Sequence, residues 1–237
     1  MKTSLSRRVA AEFVGTAFLV AAVVGSGIMG ERLAGGNVAL ALLANTIATG
    51  AALVALIISF GPISGAHLNP VVTLMDALEG GLPWSETPHY VSGQVLGGTV
   101  GAALANFMFG LPAISLSSHV RSGSTQFFSE VVATFGLVCV IWGSSRLRSN
   151  AVAFAVGAYI TAAYWFTAST SFANPAVTLA RCLSDTFAGI RSRDVPWFVL
   201  AQFVGGFAAT LLLRWLVPGL KNAAQEVVVP HGEPRKD

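Results

Sequence analysis

The run SGAHLNPVVTL, residues 64–74, returns 105 positions later as STSFANPAVTL, residues 169–179. Each copy carries an Asn-Pro pair inside an apolar stretch that is too short and too broken to cross a bilayer. Asn accepts hydrogen bonds from the free N–H groups at a helix start, and Pro suits the first helical turn because it has no N–H group. The two copies therefore predict two helices that begin inside a membrane.

The composition is that of a polytopic membrane protein. Of 237 residues, 54% are hydrophobic and only 11% are charged, whereas an average soluble domain carries about 25% charged residues. The net charge of +3 is small and is spread over loops and termini, so a nucleic-acid partner is not expected. Cys139 and Cys182 lie inside apolar segments and are interpreted as packing residues, and neither a metal site nor a cofactor is expected.

Six apolar stretches are long enough to span a bilayer, over about 7–29, 38–60, 88–110, 126–146, 150–168 and 195–217. The helices predicted from Asn69 to about Glu79 and from Asn174 to about Ser184 would rise only about 15 Å, half of the hydrocarbon core. We expect each half-helix to re-enter the side from which it came. The predicted fold is an all-α membrane protein with six transmembrane helices and two re-entrant half-helices.

The repeat extends beyond the Asn-Pro phrases. Glu12 and Glu130 stand in matching phrases of the first and fourth spans, and Gln94 and Gln202 precede paired glycines in the third and sixth. The chain therefore divides into two homologous halves, about 1–110 and 120–218, within one membrane domain, 1–218. Because each half has three spans, the second half is inserted upside down relative to the first.

Lys and Arg placement predicts the orientation. With the N-terminus in the cytoplasm, nine of the fourteen basic residues lie inside, and five lie outside: Arg32, Arg121, Arg181, Arg191 and Arg193. We expect both termini in the cytoplasm, with residues 219–237 as a short cytoplasmic tail, and the bacterial inner membrane as the location.

Opposed half-helices place two positive helix ends near the bilayer midplane, which repels cations. The non-helical strands that lead into them, residues 65–68 and 170–173, are tolerated at membrane depth only if they line a wet cavity. Their carbonyls then form a row of acceptors, and Asn69 and Asn174 offer side-chain N–H donors. This arrangement favours water or a small neutral polyol over an ion.

The duplicated Asn-Pro motif, the paired glutamates and the Gly-rich phrases resemble the aquaporin and aquaglyceroporin family over about 1–218. The resemblance implies a passive channel in contact with membrane lipid, and a homotetramer with a pore in each monomer. The pore motifs are Asn69-Pro70-Val71 and Asn174-Pro175-Ala176, where the family's usual first copy has Ala in place of Val71. Most members have an arginine directly after the second motif, and this chain has Val177.

Counting from the motifs places the family's selectivity filter at Thr49, Ala162, Ser171 and Val177. Aligning the region of Gly157 instead puts Tyr164 in the place of Ala162, and we prefer Ala162. That filter has neither a large aromatic ring nor a charge, so we expect solutes larger than water to pass. The second phrase is most similar to bacterial AqpS-type aquaglyceroporins associated with arsenic resistance, so trivalent arsenic hydroxide joins glycerol as an expected solute.

Several polar residues have more than one interpretation. Arg181 lies one helical turn after Val177; we favour a vestibule arginine, paired with lipid or Asp185, over a partial replacement for the missing charge. Glu12 and Glu130 are interpreted as scaffolds for the re-entrant loops rather than as a proton relay. His67 is expected to anchor its loop rather than to act as a gate, and Asp76 to be solvated at the cytoplasmic end.

Other function classes stay open. A water-selective channel has the same motifs with a narrower filter. A proton-coupled transporter needs a titratable group on the solute path, for which only Glu12 and Glu130 qualify. An enzyme needs a nucleophile with its base or a metal cluster, and the sequence offers no such arrangement, so catalysis is not expected.

Overall fold

A computed structural model describes residues 3–147 and 151–217. Within that part of the chain the α-helices are α1 (Leu5–Leu33), α2 (Val38–Ser64), α3 (Pro70–Glu79), α4 (Thr87–Met108), α5 (Ser124–Leu147), α6 (Val152–Phe166), α7 (Pro175–Arg181) and α8 (Val195–Leu216). Each predicted span and each predicted half-helix corresponds to one of them. The predicted tail, 219–237, lies outside the described residues.

Helix length and hydropathy account for most of the spanning elements. The helical segments Leu5–Leu33, Val38–Ser64, Ser124–Ser145 and Ser192–Leu216 are long and apolar enough to cross a membrane. The α4 helix has 22 residues but carries several glycines and polar side chains, and α6 is apolar but has 15 residues. Both helices pack against others of the bundle, although length and hydropathy alone do not mark them as membrane spans.

The second half-helix is shorter than predicted, because α7 ends at Arg181 and not near Ser184. The N–H groups of Ser115 and Ser117 donate to the carbonyls of Leu183 and Cys182, at 3.0 Å and 2.9 Å. A loop from the middle of the chain therefore pairs with the backbone just after α7, and the chain turns away from helical geometry there.

The two halves pack in the same way. The α1 helix lies against α2 and α4, and its counterpart α5 lies against α6 and α8. The α2 and α6 helices join the halves, and each half-helix packs against a helix of the other half, α3 on α8 and α7 on α4. This exchange holds the two re-entrant segments together at the centre of the bundle.

Glycines permit the closest helix contacts. A Cβ atom on Gly97 would collide with the backbone of Phe13 in α1, and one on Gly205 would collide with the backbone of Val131 in α5. Gly206, beside Gly205, lies against Val71 of α3. These glycines let helices of one chain pack closely against each other.

The outer surface is apolar, as lipid contact requires. Large side chains on several helices are exposed, among them Phe18, Phe107, Phe128, Phe154 and Trp215.

Candidate functional site

A narrow cavity of about 60 Å³ runs between the helices and the two re-entrant segments. One wall is apolar and comes from α1, α2, α5 and α6, with Val23, Ile57, Leu137 and Ile160 among its side chains. The opposite wall consists of the re-entrant segments, 66–69 and 171–174. A solute in this cavity meets hydrogen-bonding groups on one side and hydrocarbon on the other.

The two asparagines begin the half-helices and also tie them together. The Oδ1 atom of Asn69 accepts from the N–H of Val71 at 2.9 Å, and that of Asn174 accepts from Ala176 at 3.0 Å. Each Nδ2 then donates to the opposite segment, Asn69 to the Ala173 carbonyl at 2.8 Å and Asn174 to the Leu68 carbonyl at 2.7 Å. An amide NH₂ has two N–H groups, so each asparagine keeps one donor for the cavity that both residues line.

The re-entrant strands have an unusual backbone. Five residues have φ between 48° and 61°, in the left-handed region that residues other than glycine rarely adopt: Ala66, Leu68, Thr170, Ser171 and Ala173. Residues in such conformations persist where the surrounding structure holds them, and they cluster at functional sites. The same backbone shape occurs in both halves.

Two buried carboxylates hold these strands. Glu12 accepts from the N–H of His67 at 3.0 Å and of Leu68 at 2.7 Å, and from Gln94 Nε2 at 2.7 Å. Glu130 accepts in the same pattern, from Phe172 and Ala173 at 2.9 Å each and from Gln202 Nε2 at 2.6 Å. The N–H groups of His67, Leu68, Phe172 and Ala173 are thus satisfied by buried carboxylates and need no partner from the cavity.

The expected filter residues are only partly brought together. Thr49, Ser171 and Val177 line the cavity, but Ala162 is exposed on the outer face of α6, so its assignment is wrong. Tyr164, the alternative for that place, does line the cavity, and its hydroxyl donates to Thr49 Oγ1 at 3.3 Å. The cavity wall therefore includes a large aromatic ring, contrary to the expectation of a filter without one.

Arg181 is also placed differently from the favoured reading. It is 2% exposed, it lines the cavity, and it makes no bond to Asp185, whose carboxylate accepts from the N–H and hydroxyl of Ser118. Its Nε donates to the Ala188 carbonyl, and its Cζ lies 3.4 Å from the centroid of the Phe172 ring.

His67, which lines the cavity, contacts Asp76 of the first half-helix. Asp76 is 1% exposed, so the expectation of a solvated group is wrong, and its Oδ2 lies 3.5 Å from His67 Nε2. His67 Nδ1 lies 3.1 Å from Thr73 Oγ1, and its ring packs 5.5 Å from that of Tyr90. These contacts fix the histidine beside the first half-helix.

The loop at 109–123 lies against the segment that follows α7, and no sequence motif marks it. His119 accepts at its carbonyl from the N–H of Arg191 at 2.8 Å. Partial burial, with the nearby charges of Arg121 and Arg181, lowers the pKa of the His119 imidazole, against smaller opposite effects of Asp185 and Glu31. The imidazole is therefore neutral near pH 7.

Metal ligation has no support in the part of the chain that the structure describes. No three His, Cys, Asp or Glu side chains there are grouped to hold an ion.

The comparisons with known proteins agree with this geometry. The family model for major intrinsic proteins matches residues 1–151 and 144–233. The chain is 55% identical over 213 residues to aquaglyceroporin AqpS of Rhizobium meliloti, covering 90% of this chain and 91% of that protein. It is 32% identical to the probable aquaporin NIP7-1 of Arabidopsis thaliana, covering 88% and 76%.

A solved structure shows the same fold. The X-ray structure of the aquaglyceroporin from Plasmodium falciparum is 23% identical, covers 92% of this chain and 99% of that chain, and superposes with a TM-score of 0.73. The chain belongs to the major intrinsic protein family, whose members are membrane channels.

Proposed function

We propose that this protein is a passive channel for water, glycerol and similar polyols, and for trivalent arsenic hydroxide. The cavity between the opposed Asn-Pro segments carries the proposal, because its two walls differ in polarity. The hydroxyl groups of a polyol exchange hydrogen bonds to water for hydrogen bonds to the protein, and its carbon atoms pack against the apolar wall. Neutral trihydroxy arsenic resembles glycerol in size and in the number of its hydroxyl groups.

The residues near the outer constriction favour solutes larger than water. Val177 stands where most family members have an arginine, and Ser171 beside it is small. Tyr164 adds a ring that our expected filter lacked, but its hydroxyl is bound to Thr49 on α2. A ring held against the wall leaves the Ser171 and Val177 side of the constriction wide.

Glu12 and Glu130 support a channel rather than a proton-coupled transporter. Each carboxylate accepts two backbone N–H groups and one glutamine amide, and both are fully buried. A relay residue must exchange protons during transport, which would release strands that shape the cavity. We therefore propose that both residues are scaffolds.

The assembly and orientation are proposals from the resemblance and the charge distribution. We propose a homotetramer in the bacterial inner membrane, with both termini in the cytoplasm. The Lys and Arg bias supports the orientation, and the family supports the assembly.

Stopped-flow light scattering on reconstituted vesicles tests the solute range. We expect water, glycerol, urea and arsenite to enter faster than into protein-free vesicles. Val177→Arg should lower glycerol entry while water entry persists, and Val177→Met, of intermediate size and without charge, serves as its control. Water entry without any solute entry would refute the wide constriction and favour a water-selective channel.

A further inference from the structure

The two halves place a charged side chain at equivalent positions. Asp76 and Arg181 each stand seven residues after the Asn of their half, and each packs on the side chain two residues before that Asn. Asp76 Oδ2 lies 3.5 Å from His67, and Arg181 Cζ lies 3.4 Å from the Phe172 ring centroid. The repeat thus carries a carboxylate at this position of the first half and a guanidinium, which lines the cavity, at the same position of the second.

Arg181 has donor capacity that the protein does not use. Its Nε donates to the Ala188 carbonyl, while its Nη1 is buried and has no hydrogen-bond partner among the described residues. Leaving a buried charged donor unpaired is unfavourable, so proteins seldom do so away from functional sites. A water or solute hydroxyl in the cavity that Arg181 lines would satisfy this donor.

Arg121 adds a second positive charge beside the same Phe172 ring. Its Nη1 donates to the Ser169 carbonyl at 3.2 Å and its Nε to the Gly189 carbonyl at 2.8 Å, while its Cζ lies 5.0 Å from the Phe172 ring centroid. Burial lowers the pKa of Arg121 to about 10, so its guanidinium is charged at neutral pH. Neither arginine forms a salt bridge with a carboxylate in the described residues.

We propose, on the basis of the channel function proposed above, that Arg181 supplies the positive charge and hydrogen-bond donor of the outer constriction, displaced one helical turn from position 177. The Phe172 ring seats its guanidinium, and the Ala188 carbonyl orients it. Four helical residues correspond to about 6 Å along the axis. The constriction therefore keeps its width at Val177 while the charge that excludes cations stands just beyond it.

This displacement separates two kinds of selectivity. Residue 177 sets which neutral solutes fit, and residue 181 sets which charges are rejected. A cation that passes within about 10 Å of the guanidinium meets a barrier on the order of tenfold in rate, at the effective dielectric constant of a protein surface. Neutral solutes meet no such barrier.

The test compares proton and methylammonium entry with glycerol entry in reconstituted vesicles. We expect Arg181→Gln to raise proton and methylammonium entry by about tenfold while glycerol entry stays within about twofold. Arg181→Lys, which keeps the charge, should stay close to wild type. The control Arg193→Gln removes an exposed arginine from the same loop region and should change neither.

A double variant that moves the guanidinium separates a role of Arg181 in excluding cations from a purely structural role. Val177→Arg/Arg181→Gln returns the guanidinium to position 177, so cation exclusion should recover while glycerol entry falls. If Arg181→Gln passes glycerol without admitting cations, the proposal is wrong, whereas absent glycerol entry in the wild-type protein contradicts the channel function instead.

The wild-type protein decides the matter if neither Arg181→Gln protein assembles. With Arg181 as the barrier, methylammonium should enter at least about tenfold more slowly than glycerol in the same vesicles, although position 177 has no arginine. Methylammonium entry as fast as glycerol entry would show that position 181 supplies no such barrier, and would overturn the proposal.

Discussion

Replacing Glu130 by glutamine tests how the re-entrant strands are held. The carboxylate accepts from Phe172 and Ala173 backbone N–H groups at 2.9 Å and from Gln202 at 2.6 Å. A glutamine side chain keeps the shape but has one acceptor oxygen. Whichever way its amide turns, at least one of the two backbone N–H groups faces an NH₂ group and loses its acceptor.

The cost of this change follows from the bonds lost. An unsatisfied buried N–H group costs about 1–3 kcal/mol, and each remaining bond loses its charge assistance, about 1 kcal/mol apiece. The expected destabilisation is therefore about 3–5 kcal/mol. For a chain of this size that corresponds to a fall in unfolding temperature of roughly 6–20 °C.

Thermal unfolding of the purified protein in detergent measures this effect. Glu31→Gln, at an exposed position of α1, removes the same charge and should change stability by less than about 0.5 kcal/mol. An unfolding temperature of Glu130→Gln within about 2 °C of wild type, with water entry intact, would refute the scaffold role and revive the relay.

Three further outcomes follow from single positions. Gly97→Ala should cost about 1–3 kcal/mol in thermal unfolding because its Cβ meets the α1 backbone, whereas Gly143→Ala, with open space at the added Cβ, should not destabilise. Tyr164→Ala should raise glycerol entry in stopped-flow assays, and Ala162→Trp, on the exposed face of α6, should leave it unchanged; the opposite pattern would restore Ala162 to the filter. The pKa of His119 is lower in the folded protein than in the unfolded chain, so the unfolded chain binds a proton at a higher pH. The contribution of His119 to stability should therefore be constant above about pH 6.5 and should fall as the pH drops below it. A His119→Gln protein should lack that part of the acid dependence.

The central features were predictable because their chemistry is local or repeated. An Asn-Pro pair caps a helix through atoms within three residues, so the helix starts at Asn69 and Asn174 needed no tertiary information. Glu12 and Glu130 could be matched to the re-entrant strands because each half repeats the same order of landmarks.

The filter position on α6 was not predictable by counting. The segment 167–173 between α6 and Asn174 is irregular, so the number of residues does not fix which face of α6 meets the cavity. That face is set where α2 and α6 cross at Gly50 and Gly157, which approach each other's backbone. Tyr164 follows from this contact, and Ala162 points away.

The end of the second half-helix depends on contacts between distant segments. The α7 helix stops at Arg181 because Cys182 and Leu183 bond to the loop between the halves, and no local signal marks that pairing. The repeat gives one local indication. Phe172 stands two residues before Asn174, as His67 stands two residues before Asn69, so a functional role for one of these side chains suggests a role for the other.

Glycerol entry into vesicles with and without a proton gradient tests the central claim most directly. The opposed half-helices and the fixed carboxylates predict that glycerol enters much faster than into protein-free vesicles, without saturation, and at the same rate after the gradient is collapsed. Saturable entry that stops with the gradient would contradict the channel and show a coupled transporter.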